Sequence, residues 1–224
     1  MPVTGYFQLV RYFRSWMKSR GPGRNSIADQ IPWINFEAQQ YLANLLRRDM
    51  RVFEYGTGGS SLFYANRVAE VVGVEHDKVW FDVVLSAMRA GNFHNFIPLF
   101  RPPVSIEPIP NSEDIYHDPN KYVSADEKYL NKFSFFDYAS AIDLYRDEYF
   151  DIVCVDGRSR PACIKHAVPK VKPGGLLILD NSDRDYYVLS LNKELSQFTK
   201  VFERFGPGPY AEIFWGITFY KKNE

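Results

Sequence analysis

From Arg51 onward the sequence alternates between short apolar segments and segments with helical periodicity, and this alternation constrains the fold more than any other feature. The apolar segments are near-continuous rather than alternating with polar residues, which is typical of strands buried on both faces. The pattern therefore predicts an α/β fold with a mostly parallel sheet covered by helices on both sides. The expected strands are 52–55, 71–74, 104–109, 150–155 and 176–179, with 96–100 as a competitor for the third.

The expected helices of this region fall between the strands, at 60–69, 78–90, 139–145, 161–171 and 187–198. Pro169 is expected to kink the fourth of them, and Gly174-Gly175 to cap it before the next strand. Two final apolar segments, 201–204 and 214–220, are joined by a turn-rich linker of alternating Gly and Pro. They predict an antiparallel hairpin at the edge of the sheet.

We interpret residues 1–50 as a helical extension that precedes a domain spanning 51–224. The first 24 residues contain five basic residues and no acid, with Phe7, Val10, Phe13 and Met17 at helical spacing. Such a helix suits packing on the domain, a homodimer contact or an anionic membrane surface, and we expect packing or dimerisation rather than the membrane. A second helix is predicted over 36–48, with Asn35 as its N-cap. Within the domain, the polar segment 110–134 is predicted to be a lid or substrate loop.

The composition excludes several classes of protein. Lys+Arg and Asp+Glu both number 27, so no overall field favours nucleic acid. Two cysteines provide no disulfide framework, which favours a reducing, cytoplasmic location. No apolar segment approaches the roughly 20 residues that a membrane span requires.

The sharpest motif is the segment 54–61, EYGTGGSS, between a predicted strand and a predicted helix. Its glycines allow a tight turn and close approach of a ligand, and the helix start offers free N–H groups to an anion. A dinucleotide fingerprint would place Gly at position 61, where this chain has Ser61. An acid at Glu54 together with free N–H groups suits the amine and carboxylate of S-adenosylmethionine (SAM) better than a pyrophosphate. The alternative is a purely structural turn.

Glu75 ends the next predicted strand, about 20 residues beyond the start of this loop, where a carboxylate can accept both hydroxyls of a ribose. Alone, Glu75 is equally compatible with a place beside a helix N-cap. In combination with the glycine loop it predicts that the chain binds adenosine.

Four segments in this order, 54–59, 74–77, 150–158 and 172–181, resemble the motifs of the class I SAM-dependent methyltransferases. The resemblance covers roughly residues 51–221. It implies a seven-stranded, mostly parallel, doubly wound Rossmann-like sheet with one antiparallel strand, SAM as cofactor, and transfer of its methyl group to an acceptor. The residues expected at the cofactor are Glu54, Gly56, Thr57, Gly58, Gly59, Ser60 and Ser61 in the loop, Glu75 at the ribose, and His76, Asp77 and Trp80 near adenosine.

Asp156, Asp180 and Asn181 follow the two strongest apolar strands and are therefore expected at one edge of the sheet. They resemble the metal ligands of catechol and caffeoyl-coenzyme A O-methyltransferases, and this resemblance implies Mg²⁺, which would polarise an acceptor hydroxyl. The chain departs from that pattern after Asp156, where GRSR replaces the usual Ala-Asp-Lys. The structural alternative is that Asp156 holds a loop and that Asp180 and Asn181 cap a helix.

Arg158 and Arg160 are candidates for binding an anionic acceptor, with solvent exposure or pairing with Asp156 and Asp183 as the alternative. The candidate catalytic residues are Asp156 and His117, the latter because it lies in the predicted lid. We expect a small-molecule oxygen acceptor, since the chain lacks the Asn-Pro-Pro-Tyr signature of many N-methylating relatives.

Three other functions remain open at this point. An aminopropyltransferase of the spermidine synthase type has the same fold, but it would require an acidic polyamine site, against which the two arginines argue. The second alternative is a non-catalytic SAM-binding protein that is attached to a membrane or a partner through its N-terminal helix. An NAD-dependent dehydrogenase is disfavoured by Ser61.

Overall fold

The computed structural model of the chain describes residues 3–110 and 113–224. Its helices are α1 (Val3–Ser19), α2 (Ser26–Asp29), α3 (Phe36–Leu45), α4 (Gly59–Ala65), α5 (Lys78–Ala90), α6 (Phe136–Ala139), α7 (Arg160–Ala167) and α8 (Asn192–Leu195). Its strands are β1 (Arg51–Tyr55), β2 (Glu70–Glu75), β3 (Phe96–Phe100), β4 (Val104–Ser105), β5 (Phe133–Ser134), β6 (Phe150–Val155), β7 (Val171–Asp180), β8 (Phe198–Pro207) and β9 (Phe214–Lys222).

Seven strands form one sheet in the order β3-β2-β1-β6-β7-β9-β8. The pairs from β3 to β7 are parallel, and β9 is antiparallel to both β7 and β8. The sheet is therefore mostly parallel with one antiparallel strand, and the predicted terminal hairpin is confirmed. The strand order reverses between β1 and β6, and ligands of open α/β sheets bind in the crevice at the carboxyl ends on either side of such a point.

The strands are covered on both faces, as their apolar sequences predict. Neighbouring residues of one strand point to opposite faces, so Val52 packs with Leu42 and Leu62 in one core while Phe53 packs with Phe150 in the other. The first core lies under α3, α4 and α5, and the second under α6 and α7. Because both faces are filled, the open edge at the carboxyl ends is where a ligand has access.

The third strand of the sheet is 96–100 and not the expected 104–109. Phe96–Phe100 pairs with β2 along its whole length, whereas Val104–Ser105 pairs only with Phe133–Ser134 in a separate two-stranded ladder. Pro98 lies within β3, and proline is tolerated there because β3 is an edge strand. The proline makes the sequence of this segment less typical of a strand.

Three expected elements differ in form. The helix predicted over 187–198 is a 3₁₀ turn at Asp185–Tyr187 followed by α8, and that over 139–145 is α6 followed by a 3₁₀ turn. The helix before Pro169 ends at Ala167, and a 3₁₀ turn, Val168–Lys170, follows it. Gly174 and Gly175 lie inside β7, opposite an irregularity in its pairing with β6, and do not cap a helix.

The N-terminal helix α1 packs one face on the body of the protein. Tyr12 is buried against Phe36, and the indole N–H of Trp16 donates to the carbonyl of Ala211 over 2.6 Å. Phe13 and Met17 on the other face are 49% and 55% exposed. In the part of the chain that the structure describes, no helix has the length and apolar character needed to span a membrane. Asn35 caps α3 through its side chain, as predicted, although α3 ends at Leu45.

Candidate functional site

A cavity of about 610 Å³ lies at the carboxyl ends of β1, β2, β6 and β7. Its wall is formed by the segments that leave these strands, together with part of the segment 110–134. The volume falls within the range of small-molecule sites, roughly 300–1,000 Å³. The site therefore occupies the position that the strand order favours.

The glycine loop forms the floor of the cavity. Gly56 has a φ of +88°, and a side chain there would place Cβ 2.9 Å from the carbonyl oxygen of Asp156. Only glycine combines this conformation with such close approach of the β1 and β6 loops. A Cβ on Gly58 would meet the Trp80 ring at 3.8 Å and the Ser60 hydroxyl at 4.0 Å, which are ordinary contact distances, and Gly58 lines the cavity. Thr57, Gly59 and Ser60 also line the cavity.

Glu54 lies behind the loop and not in the cavity wall, which corrects the expectation that it meets the cofactor's amine. Its side chain turns under α4, where the hydroxyls of Ser60 and Ser61 donate to its two oxygens, the former over 2.7 Å. Ser61 is fully buried and also accepts from the N–H of Gly58, so it caps the helix instead of facing a ligand. Burial raises the pKa of Glu54 to about 8, because its hydrogen-bond donors are neutral.

Glu75 lines the cavity at the end of β2, as predicted. One of its oxygens accepts from the N–H groups of His76 and Asp77, over 2.7 and 2.9 Å. The other accepts from the N–H and the hydroxyl of Thr57, over 3.1 and 3.2 Å. Burial opposes ionisation, yet the donors at His76 and Asp77 lower the pKa of Glu75 below its usual value, so the cavity holds a carboxylate here.

His76, Asp77 and Trp80 also line the cavity. Asp77 caps α5 through the N–H groups of Val79 and Trp80, and the Trp80 indole donates to the carbonyl of Thr57 over 2.6 Å. The His76 ring packs edge-on against the Tyr129 ring. These contacts fix one end of the cavity as a rigid wall with an aromatic surface.

The predicted lid contributes directly to the site. Asp126, Lys128 and Tyr129 from the segment 110–134 line the cavity. Lys128 lies 3.4 Å from Asp77, and Asp126 pairs with Arg158 over 3.0 Å. Both ion pairs are exposed, and such pairs contribute little to stability. They connect the segment to both ends of the cavity without locking it there.

Asp156, Asp180 and Asn181 come together at the far end of the cavity, as the strand ends predict. Asp156 and Asp180 follow or end adjacent parallel strands, and their carboxyl groups are neighbours. Burial and the neighbouring Asp156 raise the pKa of Asp180 well above its usual range.

The side chain of Arg160 lies directly against this pair, as the alternative of pairing with Asp156 predicts. Its Nη2 donates to Asp156 over 3.0 Å, its Nη1 donates to the backbone carbonyl of Asp180, and its Nε donates to the carbonyl of Gly157 over 3.1 Å. Only 7% of the side chain is exposed. Arg160 lines the cavity, but three of its nitrogens are engaged by the protein itself, and its role in binding an anionic acceptor stays a prediction.

The residues present do not fit the Mg²⁺ that the resemblance implies. Magnesium would need the oxygens of Asp156 and Asp180 at about 2.0–2.1 Å, on the side where the Arg160 guanidinium donates. Two cations cannot share these oxygens without strong repulsion. Among the described residues, no group of three His, Cys, Asp or Glu side chains is placed to hold a metal ion.

The structure separates the two candidate bases. One third of the Asp156 side chain is exposed, and Asp156 lines the cavity. His117 does not line it, because its ring stacks on Tyr186 with the centroids 5.5 Å apart. Of these two residues, only Asp156 lines the cavity.

Several lining residues were missed by the sequence analysis. Arg184 follows β7 and donates to the hydroxyl of Tyr187 over 3.0 Å, at a second, smaller pocket of about 150 Å³ that adjoins the cavity. Trp215 on β9 donates its indole N–H to Asp180 over 2.8 Å. No local sequence motif indicates either residue, because each is brought to the site by the pairing of the strands. For Arg184, its place in the polar segment after β7 was the one sequence feature that could have predicted a position at the site.

At the level of sequence, neither a family model nor a curated protein matches this chain. Solved structures, by contrast, match it in fold. The O-methyltransferase TomG from Streptomyces achromogenes, involved in tomaymycin synthesis and determined with SAM, has 17% identity and a TM-score of 0.60, over 98% of this chain and 97% of that one. The cofactor-bound protein Rv0187 from MTB has 18% identity and a TM-score of 0.59, over 95% and 96%.

The O-methyltransferase from Bacillus cereus, in complex with SAH, has 14% identity and a TM-score of 0.55, over 94% of this chain and 99% of that one. At such low identity the likeness concerns the fold and not the substrate. The likeness extends along almost the whole chain, the N-terminal helices included. Together with the sheet order and its single antiparallel strand, it shows that the chain has the class I methyltransferase fold.

Proposed function

We propose that this protein binds SAM and transfers its methyl group to the oxygen of a small-molecule acceptor. The observation that carries the proposal is the ionised Glu75 in the cavity wall, next to the glycine loop that lines the same cavity. A glycine floor and an acid at the end of the following strand are the two features that adenosine binding requires. TomG, with the same fold, was determined with SAM bound.

In this proposal the loop 56–58 receives the methionine part of the cofactor and Glu75 its ribose. The four hydrogen bonds that Glu75 accepts fill the capacity of a carboxylate, which is about four. A ribose hydroxyl would therefore replace the Thr57 hydroxyl, the one side-chain donor among them. Trp80 and Asp77 would border the adenosine.

Asp156 is proposed as the group that takes the proton of the acceptor. SAM supplies a methyl group that is bound to a sulfonium sulfur. The acceptor oxygen attacks the methyl carbon in line and displaces the sulfur. The oxygen forms the new bond to carbon, the carbon–sulfur bond breaks, and the hydroxyl proton passes to Asp156 and then to solvent. The chain contributes alignment and exclusion of water, because the leaving group needs no further activation.

The acceptor end of the cavity favours a neutral or anionic molecule. Arg158 and Arg184 line it together with the indole of Trp215. A polyamine would meet these positive charges, so aminopropyl transfer is disfavoured by electrostatics. Among the described residues, Arg184 is paired with no acidic side chain, which leaves its charge available to an acceptor.

Calorimetric titration with SAM, decarboxylated SAM and NAD tests the cofactor. We expect SAM to bind, and Glu75→Ala to weaken its affinity by about 1–3 kcal/mol because the ribose hydroxyl loses its acceptor. Glu70→Gln, at the opposite end of the same strand, is the matched control and should leave the affinity unchanged. Unchanged affinity in a folded Glu75→Ala variant, or preference for NAD, would overturn the assignment. A product screen with methyl-labelled SAM would then identify the acceptor.

A further inference from the structure

The buried cluster of Asp156, Asp180 and Arg160 carries an inference beyond methyl transfer. Its two carboxyl groups come from the ends of adjacent parallel strands, and its cation comes from the start of α7. Around them, Trp215 donates to Asp180, and the Tyr187 ring lies 5.1 Å from the guanidinium carbon. The cluster is thus packed against the protein on one side, and its three residues line the cavity on the other.

The local chain geometry explains how the guanidinium reaches this position. Gly157 follows β6 and has no room for a side chain, because Cβ would collide with the hydroxyl of Tyr138. Ser159 then adopts a left-handed conformation with φ of 49°, which starts α7 immediately. Arg160 is thereby turned back over Asp156, and its Nε donates to the carbonyl of Gly157. The short turn aims the side chain at the strand ends instead of at solvent.

The guanidinium lies against the carboxyl groups that an oxygen-ligated metal would use. Its Nη2 is 3.0 Å from the carboxyl group of Asp156, and its Nη1 is 3.8 Å from that of Asp180. It has five N–H donors in a planar fork, and three of its nitrogens are engaged with Asp156, the backbone of Asp180 and Gly157. The two carboxyl groups therefore have a positive countercharge without a metal.

We propose that Arg160 is a built-in cation that replaces a divalent metal at the ends of β6 and β7. It acts as a positioning residue, because it holds Asp156 with one oxygen bonded inside the protein and the rest of the carboxylate at the cavity. In a variant without the Arg160 guanidinium, Asp156, Asp180 and Asn181 would form an open set of oxygen ligands. Removal of Arg160 should create a metal site that the natural chain excludes.

Binding of Mn²⁺ alone, followed by electron paramagnetic resonance of the free ion, tests the proposal without acceptor or turnover. The wild-type chain should hold no Mn²⁺ at the cluster. Arg160→Ala should bind one Mn²⁺ at least about tenfold more tightly, and Asp180→Asn in that background should abolish the gain. Lys165→Ala removes an exposed cation from the same helix and should behave as wild type. Arg160→Lys keeps the charge and should stay free of metal.

Thermal unfolding provides a second readout. Mn²⁺ should raise the midpoint of Arg160→Ala and leave that of the wild type unchanged, since a ligand stabilises only the state that binds it. If Arg160→Ala does not fold, Arg160→Gln retains polar contacts without the charge and is expected to gain metal in the same way. One Mn²⁺ bound by the wild type and lost with Asp156→Asn would overturn the proposal. A folded Arg160→Ala or Arg160→Gln variant that binds Mn²⁺ no more tightly than the wild type would also overturn it. Because these measurements involve no methyl transfer, their failure is distinct from failure of the proposed function.

Discussion

Two acids at neighbouring strand ends, one fully buried and one with a third of its side chain exposed, show two different ways of stabilising a carboxyl group. Glu54 on β1 is surrounded by neutral donors, the hydroxyls of Ser60 and Ser61, and its pKa is raised to about 8 by burial. Asp156 after β6 faces a guanidinium instead, although burial raises its pKa as well. The first acid is stabilised by keeping its proton, and the second by a permanent countercharge. The position of the cation therefore decides which of the two acids can serve as a base.

The largest effect is expected where the countercharge is removed. Arg160→Gln should destabilise the protein by about 3–5 kcal/mol, because the partner of a buried charge is lost. Urea unfolding at neutral pH measures this, with Lys165→Ala as the control for an exposed cation, expected within about 0.5 kcal/mol of wild type. If Arg160→Gln lowers the free energy of unfolding by less than about 1 kcal/mol, the countercharge is not what stabilises Asp156. The difference between Glu54 and Asp156 would then be wrong.

The second prediction concerns pH and Glu54. Its pKa is raised from 4.5 to about 8 on folding, so between these values the unfolded chain has lost the proton that the folded chain keeps. This group's contribution is therefore complete below pH 4.5 and declines as the pH rises to about 8. The expected decline is about 3 kcal/mol between pH 5.5 and 7.5, at about 1.4 kcal/mol per pH unit.

Glu54→Gln provides the measurement for this prediction. The neutral amide cannot ionise, so the difference in unfolding free energy between variant and wild type should grow in the variant's favour as the pH rises. Denaturant unfolding of both proteins at several pH values gives the two curves. Parallel curves would show that Glu54 is ionised in the folded protein, and the contrast with Asp156 would disappear.

The smallest effect is expected from a single neutral donor. Ser60→Ala removes one of the two hydroxyls that Glu54 accepts from, and should cost about 1 kcal/mol. Ser86→Ala, whose hydroxyl donates to a carbonyl on the exposed face of α5, is the matched control and should cost less. Equal losses in the two variants would indicate that burial adds nothing to the hydrogen bond at Glu54.

What the sequence predicts well is what local chemistry determines. The glycine loop, the acid Glu75 and the helix 78–90 follow from spacing and periodicity, and each lies where it was expected. The role of Glu54 could not be read in this way, because a strand residue faces either the ligand or the helix behind it, and only packing decides which. For Arg160, the pairing with Asp156 was one of the alternatives that the sequence offered. Its contact with Asp180 was not predicted, because Asp180 is on another strand and no pattern within the turn indicates that contact.

The close approach at Gly59 has a consequence for the order in which the molecule is assembled. A Cβ on Gly59 would lie 2.1 Å from the carbonyl oxygen of Ser26 and 2.4 Å from that of Ile31, so the start of α4 rests directly on the chain before α3. Ser26 and Trp33 also line the cavity. The same wall includes Trp215 on β9, so it combines residues from 26 to 215. During synthesis the segment before α3 can pack on α4 early, whereas the ligand site is complete only after β9 has been made.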